Sequence, residues 1–329
     1  MRGSWKKLRC GHNEGQLDKA KALTKLASER RLLASEISTS QVPVIEGAII
    51  MTAQEWMRLG ENGGKKCFEK AVEADDNYAD GWSQLGHLGG GRLRGVAYSE
   101  KACYERAVAL EPNSALHWRN LASVGGGAVQ GSAHSGKECT QKALELDDTD
   151  AYCWNSLGKA GGGRLRGKEY SETACYERAV ALEPESARFW NDYASSAAGG
   201  RAVYRGSKQL NCRAVELDPR YADAWNSLGI AGGGNVHGHK YYATGCFKRA
   251  VELDETSAIY WTNFGESGGT DYYDTGPIHR PIACFENALE LDDKYARAWS
   301  LLGDWGGGQV HGKEYSKRDC HEMAAKCSQ

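Results

Sequence analysis

Two stretches carry the spacing of a phosphate-binding loop: Gly162 to Lys168 and Gly307 to Lys313 both read G-x-x-x-x-G-K. Such a loop works by aiming successive backbone N–H groups at phosphate, with a following Ser or Thr holding magnesium. Here the next residue is Glu169 or Glu314, whose carboxylate has the wrong charge for that role. No strand-like run precedes either loop, and related glycine triplets return at Gly89–Gly91, Gly125–Gly127 and Gly232–Gly234. A segment used that often is a connector, so no nucleotide or other cofactor is expected.

Histidine and cysteine raise the question of metal. His237-Gly238-His239 is a local pair, and His311 fills the slot of His237 further along, but no third ligand stands at motif spacing. The default is solvated loop histidines and no metal. Of 11 cysteines, Cys67, Cys103, Cys139, Cys175, Cys246, Cys284 and Cys320 each sit four residues before an alanine that recurs at the same beat. A cysteine returning once per period on one helical stripe is a small buried hydrophobe. Cys10, Cys153, Cys212 and Cys327 fall off that register and are the candidate reactive thiols. Carboxylates cluster at segment ends such as Asp147-Asp148 and Glu183 rather than as a paired acid and base. No Ser-His-Asp, G-x-S-x-G or H-E-x-x-H arrangement is present, and the chain is not expected to be an enzyme.

What would position any of these residues is a repeat. Trp82, Trp118, Trp154, Trp190, Trp225, Trp261 and Trp299 are separated by 36, 36, 36, 35, 36 and 38 residues. Ala71, Ala107, Ala143, Ala179, Ala214, Ala250, Ala288 and Ala324 keep the same beat. Two residue types sharing one period over this length mark a repeat array. In one unit, Ala151, Trp154, Leu157 and Gly158 lie on one helical face; Gly161-Gly162-Gly163 then stops the helix, each glycine costing about 1 kcal/mol relative to alanine. Ser171 is a candidate N-cap for a second helix, whose stripe is Cys175, Ala179 and Leu182 and which ends before Pro184. Helices this short are marginal alone below about 12–15 residues, so each pair must gain order from its neighbours. The tryptophan is the large knob of that packing; Gly158 and Ala179 are small enough for close approach. Leu93, Val129, Leu165, Val236 and Val310 return at one connector position and are expected to plug the loop onto its hairpin. Indoles turned to solvent, or strands between the glycine triplets, would contradict this arrangement.

The signature W-x-x-L-G, as in Trp225 to Gly229, with A-V-x-L-D-P, as in Ala214 to Pro219, resembles the tetratricopeptide repeat. The resemblance covers about residues 53 to 329 in some eight units, the first (Trp56 to Asp76) having lost most of its connector. Gly89, Gly161 and Gly232 stand where that family places an aromatic, and two extra residues enlarge the connector, which makes the unit similar to the Sel-one-like relatives. The implied fold is all-α: an α-solenoid of about eight stacked antiparallel helix hairpins forming a superhelix, with the first helix of each unit on the concave face.

From that resemblance, the concave face would hold Gln84, Arg119, Asn120, Asn155, Arg188, Asn191, Asn226, Asn263 and Arg297. Related superhelices use an asparagine ladder there to grip an extended peptide; Asn120 and Asn263 match its slot, Gln84 approximates it, and Ser156, Asp192, Ser227 and Leu301 break it. The leading expectation is a non-catalytic scaffold for a protein or peptide. The alternative is an anion-binding surface for an acidic peptide, phospholipid headgroup or RNA backbone, along connector residues Arg92, Arg94, Arg164, Arg166, Arg201 and Arg205.

Composition closes other routes. Glycine makes up 41 of 329 residues, well above the roughly 7% of average usage, and the connectors account for the excess. A net charge of −2 argues against a DNA binder. No apolar run approaches the ~18 residues of a membrane span, no secretory leader is recognisable, and the free cysteines fit a reducing compartment, so a cytoplasmic address is expected. No small-molecule substrate is expected. Residues 1–44 read as a basic arm with an amphipathic capping helix (Leu23, Leu26, Ala27, Leu33, Ala34 and Ile37), and 45–329 as the array. An enzymatic function would need a catalytic domain for which the amino-terminal segment is too short, and the chain stops inside its last helix without a polar cap.

Overall fold

The computed structural model describes residues 52–196, 203–268 and 281–328. Its helices come in antiparallel pairs at the period set by the tryptophans. The pairs begin with α1 (Ala53–Gly63) and α2 (Lys65–Ala74), α3 (Ala79–His87) and α4 (Glu100–Leu110), α5 (Ala115–Ser123) and α6 (Gly136–Leu146), then α7 (Ala151–Lys159) and α8 (Glu172–Leu182). They continue with α9 (Ala187–Ser196) and α10 (Val203–Leu217), α11 (Ala222–Ile230) and α12 (Ala243–Leu253), α13 (Ala258–Glu266) and α14 (Pro281–Leu291), then α15 (Ala296–Asp304) and α16 (Lys317–Cys327). Two compact units divide the chain: Met1–Asp76 holds the first pair and Asn77–Gln329 the other seven. Within the second unit each helix packs on the next, so the hairpins form a continuous stack. The basic arm assigned to residues 1–44 lies outside the described residues.

In the first unit, Gly64 at φ +77° makes the whole turn between α1 and α2, as the missing connector required. Phe68, Ala71 and Val72 are its buried stripe, and the Lys70 ammonium stands 5.3 Å from the Trp56 ring.

The connectors of the second unit correct the sequence reading. Strands do stand between glycine triplets: among the described residues, five connectors fold as two-stranded antiparallel ribbons. These are β1/β2 (Gly91–Leu93, Val96–Tyr98), β3/β4 (Gly126–Val129, Ser132–Ser135) and β5/β6 (Gly163–Leu165, Lys168–Tyr170). Further along come β7/β8 (Gly234–Val236, His239–Tyr241) and β9/β10 (Gly307–Val310, Lys313–Ser316). Each arm is only three or four residues, and both helices of every repeat persist, so the connector changes and the helical-hairpin array stands. The ribbon forms because Leu165 pairs with Lys168 across a two-residue turn, Arg166-Gly167, with φ +46° and +82°. Positive φ at both central residues defines the type I′ turn, whose twist matches that of paired strands.

The glycine triplet has three separate reasons. Gly161 (φ +78°) ends α7 in the left-handed region, with open space where a Cβ would lie. At Gly162 (φ +77°) a Cβ would stand 2.2 Å from the Tyr170 carbonyl oxygen, so only glycine lets the ribbon close. A Cβ on Gly163 would meet Leu157 of its own repeat at 2.9 Å and Gln141 of α6 at 3.2 Å.

The expected plugs are in place: Leu93, Val129, Leu165, Val236 and Val310 are all buried. So are the indoles of Trp82, Trp118, Trp154, Trp225, Trp261 and Trp299, with Trp190 half-buried. Burying a large apolar side chain is worth about 1.5–3 kcal/mol, and the indole adds a polar tie. Trp154 Nε1 donates to the Asp148 carbonyl at 2.8 Å, holding the turn that enters its own helix; Trp118, Trp190, Trp225, Trp261 and Trp299 make the same bond six residues back. On the other side, Tyr170 of β6 meets the Trp154 ring edge-on at 4.9 Å, as Tyr98, His134 and Tyr241 meet their own indoles. One side chain thus joins the entering turn, the first helix and the connector.

Candidate partner-binding face

The first helices of successive repeats touch along one face of the second unit, and there the structure differs from a simple open ladder. Asn120, Asn155, Asn191, Asn226 and Asn263 are all buried, and the side chains of Asn120, Asn155, Asn226 and Asn263 bond across repeats. Asn120 Nδ2 donates to Ser83 Oγ at 2.8 Å, Asn155 Nδ2 to Asp192 Oδ2 at 2.7 Å, and Asn263 Nδ2 to Asn226 Oδ1 at 2.8 Å. Each bond spans 37 residues, one repeat plus one position. The outward presentation expected of these asparagines is therefore corrected: close packing of neighbouring first helices leaves their amides between the helices. Gln84, Arg188 and Arg297 are exposed and Arg119 is partly so.

The arginines are held in place by their surroundings. Arg119 pairs with Asp150 at 3.0 Å, Arg297 with Glu266 and Asn263 Oδ1, and Arg188 with Asp192 at 3.9 Å. Arg119 and Arg188 also flank one ring, Tyr152, at 6.0 and 5.6 Å from its centroid.

Asp192 is the hub that the sequence reading treated only as a gap in the ladder. It takes Asn155 Nδ2, Lys159 Nζ at 2.8 Å and Arg188 Nε. Beside it opens a cleft of about 670 Å³, lined by Lys159 at the end of α7, Arg188, Asn191 and Asp192 of α9, and Tyr221 and Asp223 on α11 and its entry. Burial and the neighbouring carboxylates of Asp223 and Asp192 push the Tyr221 phenol up from its ordinary value, with the Asn191 amide opposing. Tyr260 of α13 donates to Asp223 Oδ1, and burial first, then that bond, raises the Tyr260 phenol. The cleft brings Arg188 and Asn191 together; the other expected face residues lie along neighbouring helices. Comparing residues 37 apart, rather than reading one column of the repeat, is the signal that would have found Asp192 and Asp223.

The connector arginines have local uses. Arg166 Nη2 donates to the Glu145 carbonyl at 2.8 Å and its Nη1 stands 3.5 Å from Asp148; Arg164 is 3.9 Å from Glu169. Arg92 and Arg94 lie on β1 and its turn and also have partners. Arg201 and the side chain of Arg205 lie outside the described residues. His237 and His311 occupy the first position of their I′ turns at φ +49°, and among the described residues no group of three metal-ligating side chains gathers.

The cysteine stripe is buried as expected at Cys103, Cys139, Cys175, Cys246, Cys284 and Cys320, whereas Cys67 is half-buried. Burial pushes the Cys139 and Cys175 thiols up to about 11 and Cys284 to about 12. Cys153, expected to be reactive, is corrected: it is 1% exposed, and burial followed by the Asp150 carboxylate raises its thiol. Cys212 and Cys327 are half-buried, and Cys10 lies outside the described residues.

In five of the described hairpins the two helices meet through a glycine and a ring, whereas buried Thr140 and Asn211 stand at the ring position of the α5/α6 and α9/α10 hairpins. A Cβ on Gly158 would lie 2.9 Å from the Tyr176 ring, and Gly86, Gly229 and Gly265 meet Tyr104, Phe247 and Phe285 in the same way. Paired antiparallel helices, an indole buried or half-buried on each first helix and a glycine under most of the rings decide the kind of unit. The repeat is tetratricopeptide-like.

No family model matches the chain, and no curated protein matches it. Solved structures similar to this tetratricopeptide-like array include two of MamA. One is 16% identical with a TM-score of 0.32, covering 48% of this chain and 82% of its own. The other is 17% identical with a TM-score of 0.29, covering 63% and 94%. A third is YrrB, described as a TPR protein with an unusual peptide-binding site, at 12% identity and TM-score 0.29, covering 71% of this chain and 97% of its own. At scores this low, the nature of the repeat rests on the hairpins themselves. No described helix is long and apolar enough to cross a membrane.

Proposed function

We propose that the chain is a non-catalytic scaffold binding a protein or peptide partner on the face made by its first helices. The observation that carries this reading is the cleft beside Asp192, where three successive repeats bring Lys159, then Arg188 and Asn191, then Tyr221 around a volume of ligand size. Ion pairs already hold its side chains, so little ordering cost remains for binding. Gln84, Arg119 and Arg297 extend the same face to either side.

The test is selection of binders from a random peptide display library against the full chain, followed by variants. Arg119→Ala and Arg188→Ala should each weaken the selected peptide by about tenfold, equivalent to about 1.4 kcal/mol. Arg164→Ala and Arg166→Ala should leave it within about twofold. The opposite pattern would move function to the connectors and favour the anion-binding reading. That second reading draws on the high exposure of Arg164 and Arg166, but both side chains already stand near carboxylates, Glu169 on the same ribbon and Asp148 in the turn after α6. Salt separates the two: counterion release would make affinity fall steeply with ionic strength, whereas peptide docking in the cleft falls gently.

A further inference from the structure

The cleft beside Asp192 holds acceptors without matching donors. Asn191, which lines the cleft, is buried, 6% exposed, and its Oδ1 has no hydrogen-bond partner. A buried carbonyl oxygen in that state gains from any ligand that brings an N–H group to it. Charge is divided unevenly as well. Lys159 and Arg188 both turn onto Asp192, so each cation in the cleft already has a carboxylate. Asp218, which also lines the cleft, and Asp223 instead hold only neutral donors: the Arg220 backbone N–H at 2.9 Å and the Tyr260 hydroxyl. Among the described residues neither has a cationic partner. What is missing from this cleft is therefore an N–H donor at its floor and a positive charge at its α11 side.

We propose that the cleft takes an extended peptide segment, with a backbone N–H directed to Asn191 Oδ1 and a lysine or arginine side chain directed to Asp218 and Asp223. This rests on the peptide-binding reading above and adds the charge of the ligand to it. An acidic segment meets two unneutralised carboxylates and finds no unengaged cation. A peptide is favoured over a small polyamine because the unmatched acceptor lies at the floor among first-helix residues, where a backbone amide supplies a neutral donor beside the charged one.

Chemical-shift titration of the full chain tests this with three probes in about 0.15 M salt, where surface charges are screened within about 8 Å. The probes are an acetylated, amidated Ser-Ala-Lys-Ala-Ser pentapeptide, its counterpart with Glu in place of Lys, and spermidine. The lysine peptide should shift resonances of Asn191, Tyr221 and Asp223 and bind about tenfold or more tighter than the Glu peptide. A chain carrying both Asp218→Asn and Asp223→Asn keeps groups able to accept the Arg220 and Tyr260 bonds, and should bind the lysine peptide about fivefold or more weakly. Unchanged indole resonances in that variant would verify its fold. Equal or tighter binding of the Glu peptide in this cleft would overturn the charge assignment while leaving peptide binding intact. Spermidine matching the lysine peptide would overturn the peptide assignment. If no probe perturbs the cleft, or if the double variant binds the lysine peptide unchanged, the proposal fails, and the display selection then judges the broader reading separately.

Discussion

Between α7 and α8 the contact is Gly158 on the Tyr176 ring, with Cys175 and Ala179 buried beside it. Between α7 and α9 it is Asn155 on Asp192, with Lys159 and Arg188 drawn to the same carboxylate. The first seam recurs with little change: Gly86 on Tyr104, Gly229 on Phe247, Gly265 on Phe285. The second changes from repeat to repeat, being Ser83 with Asn120 in one place and Asn226 with Asn263 in another. A seam that mainly has to pack reuses one solution in most hairpins, with Thr140 and Asn211 as its two exceptions. The first-helix face keeps no single pair from repeat to repeat, and it is this face that carries the cleft beside Asp192.

The comparison breaks most visibly if the indole is removed. Trp154→Ala should destabilise the chain by about 3–5 kcal/mol in urea unfolding, since it leaves a cavity and frees the turn at Asp148. A loss below about 1 kcal/mol would mean the seam is not where stability resides.

Next comes the glycine pair that separates backbone conformation from crowding. Gly162→Ala should cost more than about 2 kcal/mol, combining a left-handed φ with a blocked ribbon, whereas Gly161→Ala should cost about 1 kcal/mol from conformation alone. Equal losses in thermal or urea unfolding would remove the steric part of the account.

The buried thiols give the seam a pH signature. Cys139, Cys175 and Cys284 have folded values raised above the ordinary 9.0, so the fold binds these protons more tightly than the unfolded chain. Their contribution is complete below about pH 9 and is lost as pH rises toward about 11. Calorimetry should show the unfolding midpoint falling by several degrees between about pH 9 and about pH 10.5. Replacing all three with alanine should flatten that decline; an unaltered slope would assign it to other groups.

On the face, a double-mutant cycle separates pairing from packing. Asn120→Ala should cost about 1–2 kcal/mol because Ser83 is left buried and unpaired. Adding Ser83→Ala should cost less than the sum of the two single changes. Strict additivity would show that the hydrogen bond contributes nothing. Smallest of all, Arg166→Ala should change stability by less than about 0.5 kcal/mol, because its partners are exposed and screened.

The repeat was legible because packing wrote it in large and small residues: tryptophan, the Leu-Gly step, cysteine and alanine each hold one place in a tight seam. Helix ends were legible for a similar reason. Ser171 accepts from the Ala174 N–H as the N-cap it was expected to be. The ribbons were hidden because Arg166, Gln130 and His237 occupy a left-handed position where Asn, Asp or Gly would announce a type I′ turn. Gly167, Gly131 and Gly238, which follow them, were half of that signal. The face was harder still. An asparagine at one repeat position reads the same whether its amide is open to a groove or spent on the next helix, and only the approach of the first helices decides between them.

Exchange of the indole Nε1 protons in the native full-length chain, followed by NMR after transfer to heavy water, tests most directly whether the tryptophan wedge holds each hairpin. Trp118, Trp154, Trp225, Trp261 and Trp299, bonded to turn carbonyls and buried, should exchange far more slowly than free indole and lose protection together with the core amides. Exchange at the free-indole rate in an otherwise folded chain would contradict the wedge, and with it the division between a seam that packs and a face that binds.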